Sequence, residues 1–495
     1  MDILALNTQN LGKLADRLPV PNYDRSILKA GIVHIGVGGF HRSHQAYYIH
    51  QLLQKHSAAD WAICGVGLRE DDRRIADVLK KQDCLYTLVT QHPKGKVDSE
   101  VLGSIIDYLL AVDDPQLVIN RMAHPDTKIV SLTITEGGYN FNPNTGEFDF
   151  ENLDIQHDLN NLSLPKTIYG YLMAALRNRY ESGQPPFTIL SCDNIQHNGD
   201  MLRKMVLAFA ERQDKKMVDW IAEKVDFPNS MVDRITPTTT ALATDYLLST
   251  YQLSDEWCVV CEPFIQWVIE DKFSNGRPAL EKLGVQFVPD VTPYEKMKIR
   301  LLNAGHSVLG IPGAIFGHST IDDCMNDSVF ANFLRKFMDK DVTPILGKIE
   351  GIDMEKYKDT LEVRFANPNI KDGVARICSE SAAKLPKFLI QTLRENLKNG
   401  GSIKYATFIL AAWCYYSDKG INEKGEALVI IDVKKEQLHQ AASNTTSDWT
   451  SFLNQTDLFE NLNKNERFVN EYTRIIQAIY KENDIRKLMN ELYSF

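Results

Sequence analysis

Through the first half of the chain, short apolar runs with strand character alternate with helix-like stretches, and this alternation limits the possible folds more than any other feature. IVHIGV (32–37), WAICGVGL (61–68), CLYTLVTQ (84–91), KIVSLTIT (128–135) and FTILSCDN (187–194) are separated by amphipathic stretches such as HRSHQAYYIHQLLQKH and TIYGYLMAALRNRYES. Such a pattern predicts a mainly parallel sheet covered by helices. The near-continuous apolarity of KIVSLTIT suits a strand buried on both faces. After about residue 290 helical periodicity takes over, from TPYEKMKIRLLNAGHSVLGIPGAIFG to a terminal helix beginning near Asn465. One short hairpin is expected around EKGEALVIIDV, where Lys424-Gly425 supplies the turn.

The glycine-bearing segment Gly36-Val37-Gly38-Gly39-Phe40-His41 sits between the first strand and the first helix. There, glycines let backbone amides approach a pyrophosphate. Position 41 is His where G-x-G-x-x-G has its last glycine, so the position in the alternating pattern carries more weight than the pattern itself. The second strand leads into Arg69-Glu70-Asp71-Asp72-Arg73. A carboxylate from Asp71 or Asp72 at that strand end would accept hydrogen bonds from ribose hydroxyls and repel a 2′-phosphate, which favours NAD over NADP. Arg73 and Arg74 argue the other way, because a rotated arginine binds such a phosphate. His41 and His44 have a metal-like spacing but no carboxylate at ligand spacing, so packing and pyrophosphate-side hydrogen bonding are expected of them. The predicted class is therefore α/β: a Rossmann-like doubly wound sheet over residues 1–287, then a predominantly α-helical domain over 288–495.

Composition removes several function classes. The 495 residues are 44% hydrophobic and 24% charged, an ordinary globular balance with room for two to four domains. A net charge of −10 with no basic stripe excludes nucleic acid as an expected partner, since duplex binding rests on clustered Lys and Arg. Eight scattered cysteines point to a reducing compartment. Cys258 and Cys261 form C-x-x-C in a strand-like segment, but no second Cys/His pair accompanies them, so a buried structural role is expected and no metal. The first twenty residues lack the basic start and apolar core of a signal peptide. The apolar run from Ala406 to Tyr416 is far shorter than the roughly 20 residues that span a bilayer. A cytoplasmic location without membrane attachment is expected.

Tyr294 and Lys298 reproduce the Y-x-x-x-K pair of short-chain dehydrogenases, yet the T-G-x-x-x-G-x-G of those enzymes is missing after the first strand, so the pair reads as coincidence. A different set of motifs is more specific. NSMVDRITP (229–237) and YEKMKIRLLNAGHS (294–307) closely resemble the polyol-specific long-chain dehydrogenases, the mannitol 2-dehydrogenase family. GVGGFHRSH (36–44), TITEGGY (133–139), SCDN (191–194), EPFIQWVIED (262–271) and AAKLPKF (382–388) match in order, and the resemblance covers roughly residues 28 to 430. It implies Lys298 as general base, Asn194 and Asn303 as oxyanion-stabilising amides, and His306 as a substrate-orienting imidazole. Glu295 corresponds to a carboxylate linked to proton exchange with water. Asp233 falls near the nicotinamide end of the site, and Arg376 and Lys384 at substrate hydroxyls. Gly36, Gly38, Gly39, Phe40, Glu136 and Asn194 fall to the cofactor side with Asp71 and Asp72. The resemblance further implies a monomer, NAD as cofactor, no metal, and a small polyol or ketose as partner.

The chemistry agrees with that assignment. Hydride leaves a carbinol carbon only as its hydroxyl proton is removed, so a base must touch that oxygen. A lysine serves if desolvation and nearby cations such as Arg376 and Lys384 lower its pKa. In an unbroken α-helix, with Lys298 at zero, Glu295 lies at about 60°, His306 at about 80° and Asn303 at about 140° around the axis. The expected enzyme carries NAD on its first domain and substrate in a cleft against the second, with D-mannitol to D-fructose as the leading case. A fructuronate or tagaturonate reductase of the same family is the first alternative, since Arg376 and Lys384 could bind a carboxylate. A catalytically silent NAD-binding sensor is the second.

Overall fold

A computed structural model describes residues 2–142 and 145–491. The chain divides into two compact units, one formed by Met1–His92 with Lys96–Thr292, the other by Pro93–Gly95 with Pro293–Phe495.

In the first unit, five strands form a parallel sheet: β1 (Ile32–Ile35), β2 (Ile63–Gly67), β3 (Ile105–Leu110), β4 (Ile129–Leu132) and β5 (Thr188–Ser191), in the order β3-β2-β1-β4-β5. Ile32 pairs in register with Ile63 on one side and Ile129 on the other. Side chains alternate between the faces, as strand geometry requires. Val33, Ile35, Val130 and Ile189 join one core cluster with α4 (Pro115–Ala123), α5 (Ile168–Glu181) and α6 (Asn198–Gln213). Ile32, Ile63, Ile129 and Leu190 join another with α2 (Gln45–Lys55), which follows the short α1 (Gly39–Ser43), and with α3 (Arg73–Lys81). Helices on both faces and this strand order make the sheet doubly wound, with the change of direction between β1 and β4, where such sheets bind ligands.

One predicted strand belongs to a different sheet. The run at 84–91 does form a strand, Tyr86–Gln91, but it pairs antiparallel with Val97–Leu102 and parallel with Val259–Cys261 in a separate three-stranded sheet. The third strand of the main sheet is IIDYLL at 105–110. It lies at the sheet edge and is only half-buried along most of its length, so it lacks the continuous apolarity of its neighbours. Cys258 and Cys261 are both buried, the first beside Ala243 and Leu247 and the second in the cluster of Leu88 and Trp267. Among the described residues no group of three His, Cys, Asp or Glu could hold a metal ion.

The second unit is largely helical. Its first helix starts as α7 (Thr292–Lys298), passes through a π turn at Ile299–Asn303 and continues as α8 (Ala304–Phe316). Further along the chain lie α9 (Val374–Cys378), α10 (Ser381–Leu385), α11 (Gln391–Asn399) and the buried α12 (Lys404–Lys419). The helix α13 (Glu466–Glu482) begins near Asn465 as expected, the Asn465 side chain accepting from the Phe468 amide at 3.1 Å, but it is not terminal: a shorter helix, Ile485–Glu491, follows it. Among the described residues no helix is long and apolar enough to cross a membrane. The expected hairpin reduces to a turn: Gly425 has φ +83°, and Ile421 and Ala427 form one isolated bridge. Residues 428–433 do not continue as a strand, because their backbone turns elsewhere. The Glu380 amide donates to Ile431 O at 2.7 Å, and Asp432 accepts from the Ala382 amide.

Candidate active site

In the first unit, Gly36 (φ +91°) ends β1 in a conformation that L side chains rarely adopt, and a Cβ there would lie 2.2 Å from Thr133 O. Glycine is therefore obligatory, and the chain turns so tightly that the Gly38 amide donates back to Gly36 O at 2.8 Å. Gly38, Gly39 and Phe40 follow at the C-terminal end of the central strand. His41 fills the space that a third glycine would leave between helix and sheet. Its ring stacks on His34 of β1 at 3.4 Å between centroids and 8° between planes. The His34 nitrogens lie 2.8 Å from Ser131 Oγ and 2.9 Å from Thr133 Oγ1. Burial pushes His34 down to about 3 and His41 well below the usual imidazole range. His44 Nε2 lies 2.9 Å from Gln266 O, with Phe40 stacked on its ring. His44 therefore packs and hydrogen-bonds, whereas His41 packs only, both of its ring nitrogens buried without a hydrogen-bond partner among the described residues.

At the end of β2, the Asp72 carboxylate accepts from the Arg69 amide at 3.0 Å. A Cβ on Gly67 would meet Asp72 Cβ at 2.6 Å, so the loss of a side chain at Gly67 lets Asp72 lie against the strand end. Asp71 is exposed. The arginines that could bind a 2′-phosphate are engaged: Arg73 pairs with Glu70 and Asp113, and the Arg74 guanidinium lies 5.0 Å from the Trp257 ring centroid. The Gly36 cradle and the Asp72 carboxylate fit an NAD-type dinucleotide.

Glu136 and Asn194 are exposed, Glu136 in the one-turn helix Thr135–Gly138 after β4 and Asn194 just beyond β5. Asp193, the third residue of SCDN, directly precedes Asn194 and bonds the segment that leads into Glu136. Its carboxylate accepts from the Ile134 and Thr135 amides at 3.1 and 2.8 Å and from Tyr139 OH at 3.0 Å, holding the loop that carries Glu136. Asp233 is buried at the end of strand Ser230–Asp233, and its neighbour Arg234 donates Nε to Glu262 O at 3.0 Å.

The second unit holds the other expected residues. Glu295 and Lys298 are 4% and 7% exposed, and Asn303 and His306 are half-buried. The unbroken-helix geometry expected for them is corrected by the π turn. A π turn holds one extra residue, so it rotates by roughly 80° per residue instead of about 100°. Asn303 thereby moves from about 140° to about 40° from Lys298, and His306 to about 20° on the other side. The margin position expected for Asn303 becomes a facing one. His306 Nε2 lies 3.7 Å from Asp372 Oδ2, and the other oxygen of that carboxylate accepts from Arg376 Nε at 2.7 Å. Lys384 donates Nζ to Ile377 O at 3.3 Å, and burial, then the charge of Arg376, hold it below the ordinary lysine range. Asp372 thus joins His306, Arg376 and the Lys384 neighbourhood. The only sequence signal for it is an acid four residues before Arg376.

A family model described as the mannitol dehydrogenase Rossmann domain matches residues 30–282, and one described as the mannitol dehydrogenase C-terminal domain matches residues 290–480. The mannitol 2-dehydrogenase of Neosartorya fischeri is 44% identical over 496 residues, covering 98% of either chain. The solved structure of Pseudomonas fluorescens mannitol 2-dehydrogenase, a ternary complex with NAD and D-mannitol, is 43% identical with a TM-score of 0.85, covering 99% of this chain and 100% of that one. A D-sorbitol dehydrogenase in substrate-free form is 37% identical with a TM-score of 0.91, covering 98% and 100%. On this evidence the chain belongs to the mannitol dehydrogenase family.

Proposed function

We propose that this chain oxidises a secondary alcohol of a linear polyol to the ketose with NAD, with D-mannitol to D-fructose as the leading case. NAD, when bound, supplies the acceptor for the hydride that leaves the carbinol carbon. Residues 1–287 carry the cofactor: the turn at Gly36, Gly38, Gly39 and Phe40 takes the pyrophosphate, Asp71 and Asp72 the adenosine ribose, and Glu136 and Asn194 the nicotinamide side. Residues 288–495 supply the base and the substrate contacts. The protein acts as a monomer in the cytoplasm, without nucleic-acid, membrane or metal partners.

Lys298 Nζ takes the hydroxyl proton as the C–H bond breaks, so that one alcohol and one NAD⁺ become one ketone, one NADH and one proton. A lysine must be neutral to act as this base. Asn194 and Asn303 donate amide hydrogens to the oxygen as negative charge develops, where preorganised donors count most. His306 orients the same oxygen. Glu295, three residues before Lys298, passes the proton on to water. Arg376 and Lys384 donate to hydroxyls further along the chain of the substrate, and Asp233 orders its end nearest the nicotinamide.

The observation that carries this reading is the π turn, which sets Asn303 and His306 on the same side of their helix as the buried Lys298. D-Sorbitol is a second candidate, favoured by the TM-score of 0.91 to a sorbitol dehydrogenase. It differs from mannitol only at C2 and yields the same ketose by oxidation there. The relatives named are polyol dehydrogenases, which leaves the sugar-acid reading without support. NADH formation with mannitol, sorbitol and arabinitol, wild type against Lys298→Ala, tests the proposal. The expected result is turnover of a hexitol lowered by about 10³-fold in the variant, within the usual range for a general base. Equal turnover in both proteins eliminates the base.

A further inference from the structure

Among the described residues, the second unit contains three π turns, Ile299–Asn303, Phe337–Val342 and Pro386–Ile390, and the first packs against both of the others. A π turn is poorer than a regular helix and persists only where its surroundings impose it. The first of them decides whether Asn303 and His306 face the same way as Lys298. Its restraint is visible. Arg300, inside the turn and with its side chain 8% exposed, donates Nη2 to Glu395 Oε1 at 2.6 Å. Lys296, just before the turn, donates Nζ to Glu395 Oε2 at 2.8 Å and to Ile345 O at 3.0 Å. One carboxylate therefore grips the helix on either side of Lys298. Glu395 belongs to α11, which continues directly from the π turn at Pro386–Ile390, itself the continuation of α10 with Lys384. The same carboxylate ties the stretch bearing Lys298 to the stretch bearing Lys384. Arg300 first, then Lys296, holds the Glu395 carboxyl down at about 2, so the grip is ionic across the working pH range.

We infer that Glu395 is a positioning residue, holding the Lys298 helix in its π-turned register so that Lys298, Asn303 and His306 present to one substrate carbon. It takes no part in the chemistry. The inference rests on the reading of Lys298 as base, and the test separates the two.

Glu395→Gln, Glu395→Asp and Lys298→Ala are compared with wild type for mannitol oxidation and for NADH binding by fluorescence titration. Glu395→Gln is expected to bind NADH with wild-type stoichiometry and affinity and to keep its KM for mannitol, while kcat falls by about tenfold, a modest share of what misplaced catalytic groups cost. Glu395→Asp, which keeps the charge, recovers part of that loss. A kcat for Glu395→Gln within about twofold of wild type, beside an inactive Lys298→Ala, overturns the positioning role and leaves the base assignment standing. A fall in kcat matched by an equal fall in NADH-binding sites overturns it too, as simple unfolding. Full turnover by Lys298→Ala removes the base and with it the inference. If Glu395→Gln does not fold, Lys296→Met removes one of the two grips: a kcat lowered about threefold supports the brace, and an unchanged kcat overturns it.

Discussion

His41 stands where the usual dinucleotide-binding turn ends in glycine, and the stacked His34–His41 pair that results has a measurable consequence. Burial holds His34 at about 3, whereas the unfolded chain takes up that proton near 6.5. As pH falls below about 6.5 the unfolded state binds the proton first, so stability is lost across the window from about 6.5 towards about 3. For each such histidine the loss is about 1.4 kcal/mol per pH unit. Urea unfolding between pH 7 and 5 should show a falling midpoint in the wild type and a shallower fall in His34→Asn, although the variant starts less stable. At the same scale, Asp72 lies against the end of β2 while Arg73 and Arg74 are engaged. Asp72→Ala should lower kcat/KM with NAD and raise it with NADP, each by about tenfold, because a ribose partner and a source of phosphate repulsion both disappear. Unchanged cofactor preference would move the ribose site elsewhere.

At the scale of elements, what could be read from the sequence was whatever a single segment decides. The helix start near Asn465, the glycine-bound turn after β1 and the helix start at Thr292 depend on local preference and form where their residues predict. What escaped depends on partners distant in sequence. Tyr86–Gln91 has the composition of a central strand, but pairing with Val97–Leu102 and Val259–Cys261 puts it in another sheet. The π turn was invisible because IRLLN reads as ordinary helix, and the Glu395 grip that accompanies it lies about ninety-five residues away in the chain. Asp341 is a similar case: fully buried in the π turn Phe337–Val342, it accepts from Ser402 Oγ and from the Ala406 amide in the first turn of α12. Asp341→Ala leaves those donors unpaired and should cost about 2–3 kcal/mol, lowering the Tm of the variant by several degrees, as calorimetry would register. A Tm unchanged by the substitution would mean that water replaces the carboxylate.

For the whole molecule, the alternating first half and helical second half were legible from periodicity, and the ordered motifs were specific enough to name the family. The candidate site residues were proposed by resemblance, and the π turn that sets three of them on one helix side was not legible. Asp193, which holds the loop of Glu136, lies inside the SCDN motif but had no role of its own there, and Asp372, which links His306 to Arg376, lies in no motif. The account depends most on the amine of Lys298 acting as a proton acceptor. Chemical rescue measures this directly: Lys298→Ala is assayed for mannitol-dependent NADH formation with added primary amines of graded basicity. A proton-accepting Lys298 predicts a variant with little activity of its own, restored in proportion to free-amine concentration and more strongly by more basic amines. A variant that turns over at the wild-type rate without any amine would contradict it.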